Sequence, residues 1–170
     1  MAIQENKRKE LEHILNKKNF VKIAEAIKML RNDSPFTGAI ALLVSYYNQS
    51  SNDSIKRLIR EFLNDLKDQS SCIEVVAEIR KDIKPETLRM VISSCWQSGL
   101  NYADHSSEFA SLFITGDYMT AIECFTVIES SVNHMTRAKK DEIIKIIRNQ
   151  SPQVIDEKAA LALELISILK

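Results

Sequence analysis

Glycine and proline are scarce in this chain, three of each among 170 residues, and cysteine is no commoner. Turn-rich β-sandwiches and barrels use glycine and proline at many corners, so the scarcity points away from them and toward helices. Cys72, Cys95 and Cys124 are odd in number and include no CxxC pair. They match no disulfide framework of a small secreted domain and are expected to be reduced thiols. A run of about 18 apolar residues, long enough to span a membrane, occurs nowhere. The opening Met1-Ala2-Ile3-Gln4-Glu5-Asn6-Lys7-Arg8-Lys9 lacks the apolar stretch of a signal peptide. The expected location is therefore cytoplasmic, without membrane association.

Signatures of catalysis are equally sparse. Gly38, Gly99 and Gly116 stand too far apart for a GxGxxG or GxxxxGKS/T phosphate cradle. There is no GxSxG elbow and no HExxH, and three scattered histidines offer little for acid–base work. Asp104-His105 with Glu108 is the best remaining constellation, since one helical turn could gather two carboxylates near an imidazole. The simpler reading is that Asp104 or Ser106 caps a helix over 106–115 and Glu108 sits in its first turn, where negative charge is favoured. The expectation is a non-enzyme with no catalytic residue, no metal ligand and no cofactor. An enzyme would need a pocket of convergent titratable groups.

What the chain does contain is helical pattern. Hydrophobic residues make up 45%, and 23 basic residues balance 23 acidic ones. A chain of this length suits one domain and can bury about 70% of its unfolded surface. Pro35, Pro85 and Pro152 each precede an apolar-periodic segment, and Asp53, Asp117 and Asp156 stand where a carboxylate can accept orphan amide protons. These signals predict ten helices, near 3–16, 20–31, 35–48, 53–67, 72–81, 85–98, 106–115, 117–131, 137–149 and 154–169. Trp96-Gln97-Ser98-Gly99 has the form of a helix end with glycine in the left-handed position.

Ten short helices with tight turns invite a search for self-similarity. A shift of roughly 33 residues sets Ile55, Lys56, Leu58, Ile59, Phe62 and Leu63 against Leu88, Arg89, Val91, Ile92, Cys95 and Trp96. A further shift of roughly 30 reaches Tyr118, Ala121, Ile122 and Phe125. One hairpin cannot bury both its faces, so copies are expected to stack and share a core. The predicted fold is all-α, a right-handed stack of about five antiparallel hairpins over 3–31, 35–67, 72–98, 106–131 and 137–169, in a single domain of residues 1–170.

Asp53-Ser54-Ile55-Lys56-Arg57-Leu58-Ile59-Arg60-Glu61-Phe62-Leu63 resembles the start of the second helix of a HEAT repeat, and Pro85-Glu86-Thr87-Leu88-Arg89 echoes it. The arrangement over 35–169 is similar to HEAT-like and armadillo-type α-helical repeats. Bulky residues replace the usual alanines, and the usual proline within the first helix is missing. The resemblance implies an α-solenoid whose curved surface binds proteins, or sometimes nucleic acid, usually without catalysis.

Charge is unevenly placed. From Met90 to Thr136 there is no lysine or arginine, while Asp104, Glu108, Asp117, Glu123 and Glu129 lie there. Lys7, Arg8, Lys9, Lys17, Lys18, Lys22, Lys28 and Arg31 weight the first hairpin. Solvated faces are the plainest reading of both regions. Lys56, Arg57, Arg60, Arg89 and Trp96 share corresponding helices and are the expected contacts for a protein partner. Nucleic acid is the alternative, less favoured because aromatic residues do not interleave with the basic ones and net charge is zero. HEAT-like DNA glycosylases extend that alternative to DNA processing. Trp96, Tyr46, Tyr47 and Tyr102 are each either packing residues or partner anchors. The last helix is apolar almost all round, so its far face would expose Leu163 or Ile166 and offer a partner or homodimer surface.

Overall fold

The computed structural model describes residues 2–32, 35–149 and 157–170. Ten α-helices occur among them: α1 (Ala2–Asn16), α2 (Phe20–Asn32), α3 (Ala39–Gln49), α4 (Asp53–Asn64), α5 (Ser71–Ile79), α6 (Pro85–Gln97), α7 (Ser106–Thr115), α8 (Tyr118–Ser131), α9 (Arg137–Arg148) and α10 (Ala159–Ile168). Two 3₁₀ turns, Ala103–His105 and Val132–His134, precede α7 and follow α8. No strand occurs among the described residues, and none of their helices is long and apolar enough to cross a membrane.

Local chemistry sets the boundaries. Pro85 occupies the first turn of α6, where its missing amide proton is not needed. Pro35 does not start α3: the helix begins at Ala39, after Gly38 turns the chain in the left-handed region at φ 91°. Pro152 and Asp156 lie outside the described residues. Asp117 caps α8, its carboxylate accepting the Thr120 amide at 2.7 Å. Asp53 is the first residue of α4 rather than its cap; Asn52 fills that role through Oδ1, which accepts the Ile55 amide at 3.0 Å. Neither Asp104 nor Ser106 caps α7. The 3₁₀ turn runs directly into that helix, and the Ser106 hydroxyl instead donates back to the Tyr102 carbonyl. Gly99 closes α6 at φ 70°, as its position predicts.

The helices gather into two compact units, residues 1–100 and 101–170. Within the first, α1 touches α2 and α3, α3 touches α4, α5 and α6, and α4 touches both α2 and α6. Helices two apart in the chain are thus neighbours in space. Ile23, Ile27, Ile40, Leu43, Ile59, Leu63 and Ile92 fill this unit's core. In the second unit α7 touches α8 and α9, while α10 touches α8 and α9. Its core is aromatic, with Tyr102 set edge-on to Phe109 at 5.8 Å between ring centroids and Phe113 also buried. Tyr102 is therefore a packing residue, and such an edge-to-face pair adds about 1 kcal/mol beyond its buried area.

Burial recurs with a definite register. Ile23, Ile55 and Thr87 occupy equivalent buried places 32 residues apart, as do Ile27, Ile59 and Val91. Thr120 and Cys124 follow Thr87 and Val91 at 33. Matching by apolar type alone pairs Ile55 with Leu88, one residue off, because the residue that takes the buried place in α6 is the polar Thr87 while Leu88 is only half-buried.

Candidate docking surface

Side-chain ties repeat the same spacing. Arg31 on α2 donates to Glu61 at 3.0 Å and also pairs with Asp65, both at the C-terminal end of the α4 segment. Lys56 on α4 pairs with Glu86 on α6 at 2.9 Å, and Asn64 on α4 donates to Gln97 on α6 at 2.8 Å. Between α3 and its neighbours, Glu74 of α5 accepts the Gly38 amide and Asn48 accepts the Lys84 amide. In the second unit the Ser107 hydroxyl on α7 donates to Glu142 on α9 and accepts from Lys139.

This pattern locates each residue expected at a partner surface. Lys56, Arg57 and Arg60 lie on α4, and Arg89 and Trp96 lie on α6. Lys56 is the most constrained: its ammonium pairs with Glu86 and sits 4.8 Å from the centroid of the Tyr47 ring. The hydrogen bond to Glu86 raises the lysine's pKa against the opposing effect of burial, and the same bond holds the Glu86 carboxyl below the usual range. Arg57 lies 3.8 Å from Glu61 along its own helix, a distance typical of a weak surface pair. Arg60 is exposed and Arg89 half-buried. Trp96 presents 38% of its surface to solvent while the adjacent Cys95 is buried. The helix face is therefore a woven strip of opposite charges with an indole at one end.

None of these ties is foreseen by the sequence pattern. Glu86, Glu61 and Asp65 read as ordinary surface carboxylates, yet each stands 30 to 34 residues beyond its cation. Another missed feature is the outward face of α8. Met119 is 55% exposed and Tyr118 42%, Ile122 and Phe125 are half-buried, and the only charges among them are Glu123 and Glu129. The far face of α10 exposes Leu163 at 70%, as expected, whereas Ile166 is half-buried.

The other candidates are quieter. His105 Nδ1 lies 3.8 Å from Glu108, and Asp104 is exposed in the preceding turn. Among the described residues no group of three or more His, Cys, Asp or Glu side chains converges to hold a metal ion. All three cysteines are free and buried, and burial pushes the Cys124 thiol far up, which keeps it protonated and unreactive. An open groove of about 170 Å³ lies along α1 and α2, lined by Leu11, Ile14, Leu30 and Phe36 together with Lys7 and Met29.

No family model, curated protein or solved structure matches the chain.

Proposed function

We propose that the chain is a non-catalytic protein-binding module built as a HEAT-like right-handed stack of helical hairpins, working in the cytoplasm. The observation that carries this reading is the succession α2, α4, α6, in which each helix meets the next and is tied to it by Arg31 to Glu61 and Asp65, Lys56 to Glu86, and Asn64 to Gln97. Stacking of this kind sets corresponding helix faces side by side and makes an extended, rigid surface for a partner. The partner's contacts are then Arg57, Arg60 and Trp96, with Lys56 and Arg89 shaping the strip between them.

The same ties favour protein over nucleic acid. Arg31 and Lys56 already face carboxylates, so these two cations have little drive left to displace counterions from phosphates. Affinity capture of the tagged chain, followed by mass spectrometry, should recover a partner that is lost from an Arg57→Glu/Arg60→Glu double variant. Short DNA and RNA should show no mobility shift at low salt. Salt-sensitive nucleic-acid binding with no specific protein captured would overturn the proposal. The architecture is tested separately by small-angle scattering. A compact body of this length has a radius of gyration of about 15 Å, and a stack must exceed it.

A further inference from the structure

We infer that α8 of one copy of the chain docks, head to tail, on the α1–α2 hairpin of a second copy. This inference goes beyond the protein-binding reading above, whose contacts lie on α4 and α6. Aligning α4 and α8 on their buried residues, Ile55 with Thr120 and Ile59 with Cys124, sets Arg57 against Ile122 and Arg60 against Phe125. Where α4 shows water two guanidinium groups, α8 shows an aliphatic chain and a phenyl ring. Met119 and Tyr118 extend the same face. A helix that keeps apolar residues where its counterpart carries charge offers an apolar contact surface.

Charge selects the occupant. Residues 101–136 hold five acidic side chains and no lysine or arginine, and Glu123 and Glu129 flank the apolar face. Residues 2–32 hold eight basic side chains against four acidic ones. This basic hairpin also bears exposed apolar groups, Val21 and Met29, and the groove between its helices opens beside Lys7 and Glu10. Met119, unbranched and polarizable, suits such an irregular apolar groove, and its insertion brings Glu123 toward the lysines of the hairpin. The surfaces are different, so the contact is heterologous: every copy keeps one of each kind unused, and association continues past two copies unless a ring closes.

Sedimentation of the full chain tests this directly. In about 0.15 M salt the mass should rise with concentration, and near 1 M it should fall back toward the monomer, as screening shortens from about 8 Å to about 3 Å. Met119→Glu and Met29→Glu chains, both altered at exposed positions and checked for unchanged helicity, should each stay monomeric alone. Mixed in equal amounts they should form a dimer that grows no further, because each variant retains the surface the other has lost. A wild-type chain that is monomeric at every concentration and salt overturns the inference. So does association that Met119→Glu leaves intact, or a mixture that fails to dimerise. If the monomeric wild-type chain instead crosslinks from position 119 to a cationic helix of another protein, the α8 face belongs to that protein. The broader protein-binding reading then survives, since it fails only by the capture and mobility-shift experiments.

Discussion

The ammonium of Lys158 lies 2.7 Å from the carbonyl oxygen of Ile114, and it also donates to the carbonyls of Phe113 at 3.0 Å and Gly116 at 2.5 Å. These carbonyls end α7, where a helix leaves its last acceptors without partners and carries partial negative charge. Lys158 is buried and stands immediately before α10, so one side chain both caps α7 and fixes where the last helix begins. Desolvation pulls its pKa below the ordinary lysine value, while Asp117 pushes it back. Replacing Lys158 by Met keeps the aliphatic stem and strands the acceptors. A charge-assisted hydrogen-bond set of this kind is worth about 2 kcal/mol. Urea denaturation should show that loss, and hydrogen exchange should show α10 amides opening before those of α8.

Thr87 offers the opposite sign. It is fully buried where Ile23 and Ile55 stand in the equivalent helices, and its hydroxyl has no hydrogen-bond partner among the described residues. An unsatisfied buried hydroxyl costs about 1 kcal/mol or more. Thr87→Val should therefore stabilise the chain by about 1 kcal/mol, read as a higher denaturation midpoint at unchanged slope. A destabilised variant would show that the hydroxyl has an undetected role.

Two glycines should respond to alanine for different reasons. At Gly116 a Cβ would lie 2.7 Å from Thr120 Cγ2 and 2.8 Å from the Leu112 carbonyl oxygen, and the second of these is backbone that cannot swing aside. At Gly99 the space is open but φ is 70°, a conformation that costs an alanine about 1 kcal/mol. Gly116→Ala should be the more damaging of the pair in thermal melts. A Thr120→Ser change, which removes the Cγ2 contact but leaves the Leu112 oxygen and the residue's own Cβ at 2.9 Å, should recover only part of the loss.

Acid should loosen the α7–α9 tie. The Ser107 hydroxyl and the Lys139 ammonium hold the Glu142 carboxyl below the usual glutamate range. Its contribution is complete above the unfolded value of about 4.3 and fades as pH falls through the lowered folded value. Half of the side chain is exposed, so the effect is at most about 1 kcal/mol. Glu142→Gln should flatten the acid limb of the stability profile by that amount and leave stability unchanged once the pH is below the lowered folded value.

Helix existence was legible from sequence because apolar spacing marked each helix, while the proline and cap signals agreed with it at only some boundaries. Pro85, Asp117 and Gly99 act where their chemistry places them. The misses have local causes. Asn52 outranked Asp53 as a cap because a cap must sit one residue outside the helix, and a one-residue choice between two good acceptors cannot be made from type alone. The repeat register slipped because α6 buries a threonine and a serine where α4 buries an isoleucine and a phenylalanine, Thr87 for Ile55 and Ser94 for Phe62. Lys158 escaped notice because a lysine beside Glu157 reads as solvated surface until the end of α7 is brought to it. On the docking strip the cations could be named, but their carboxylate partners depend on which helices become neighbours.

The spans of the ties described above bear on how the chain is made. From Arg31 to Glu61 through Lys56 to Glu86 and Ser107 to Glu142, each of these fastenings closes a stretch of 30 to 36 residues, and Lys158 reaches back 45. Closing loops of nearly equal, modest length costs nearly the same entropy each time. A ribosome extending this polypeptide therefore releases, at regular intervals, the mate for what has already emerged. Assembly of these helices can keep pace with translation, each described tie closing as its mate emerges.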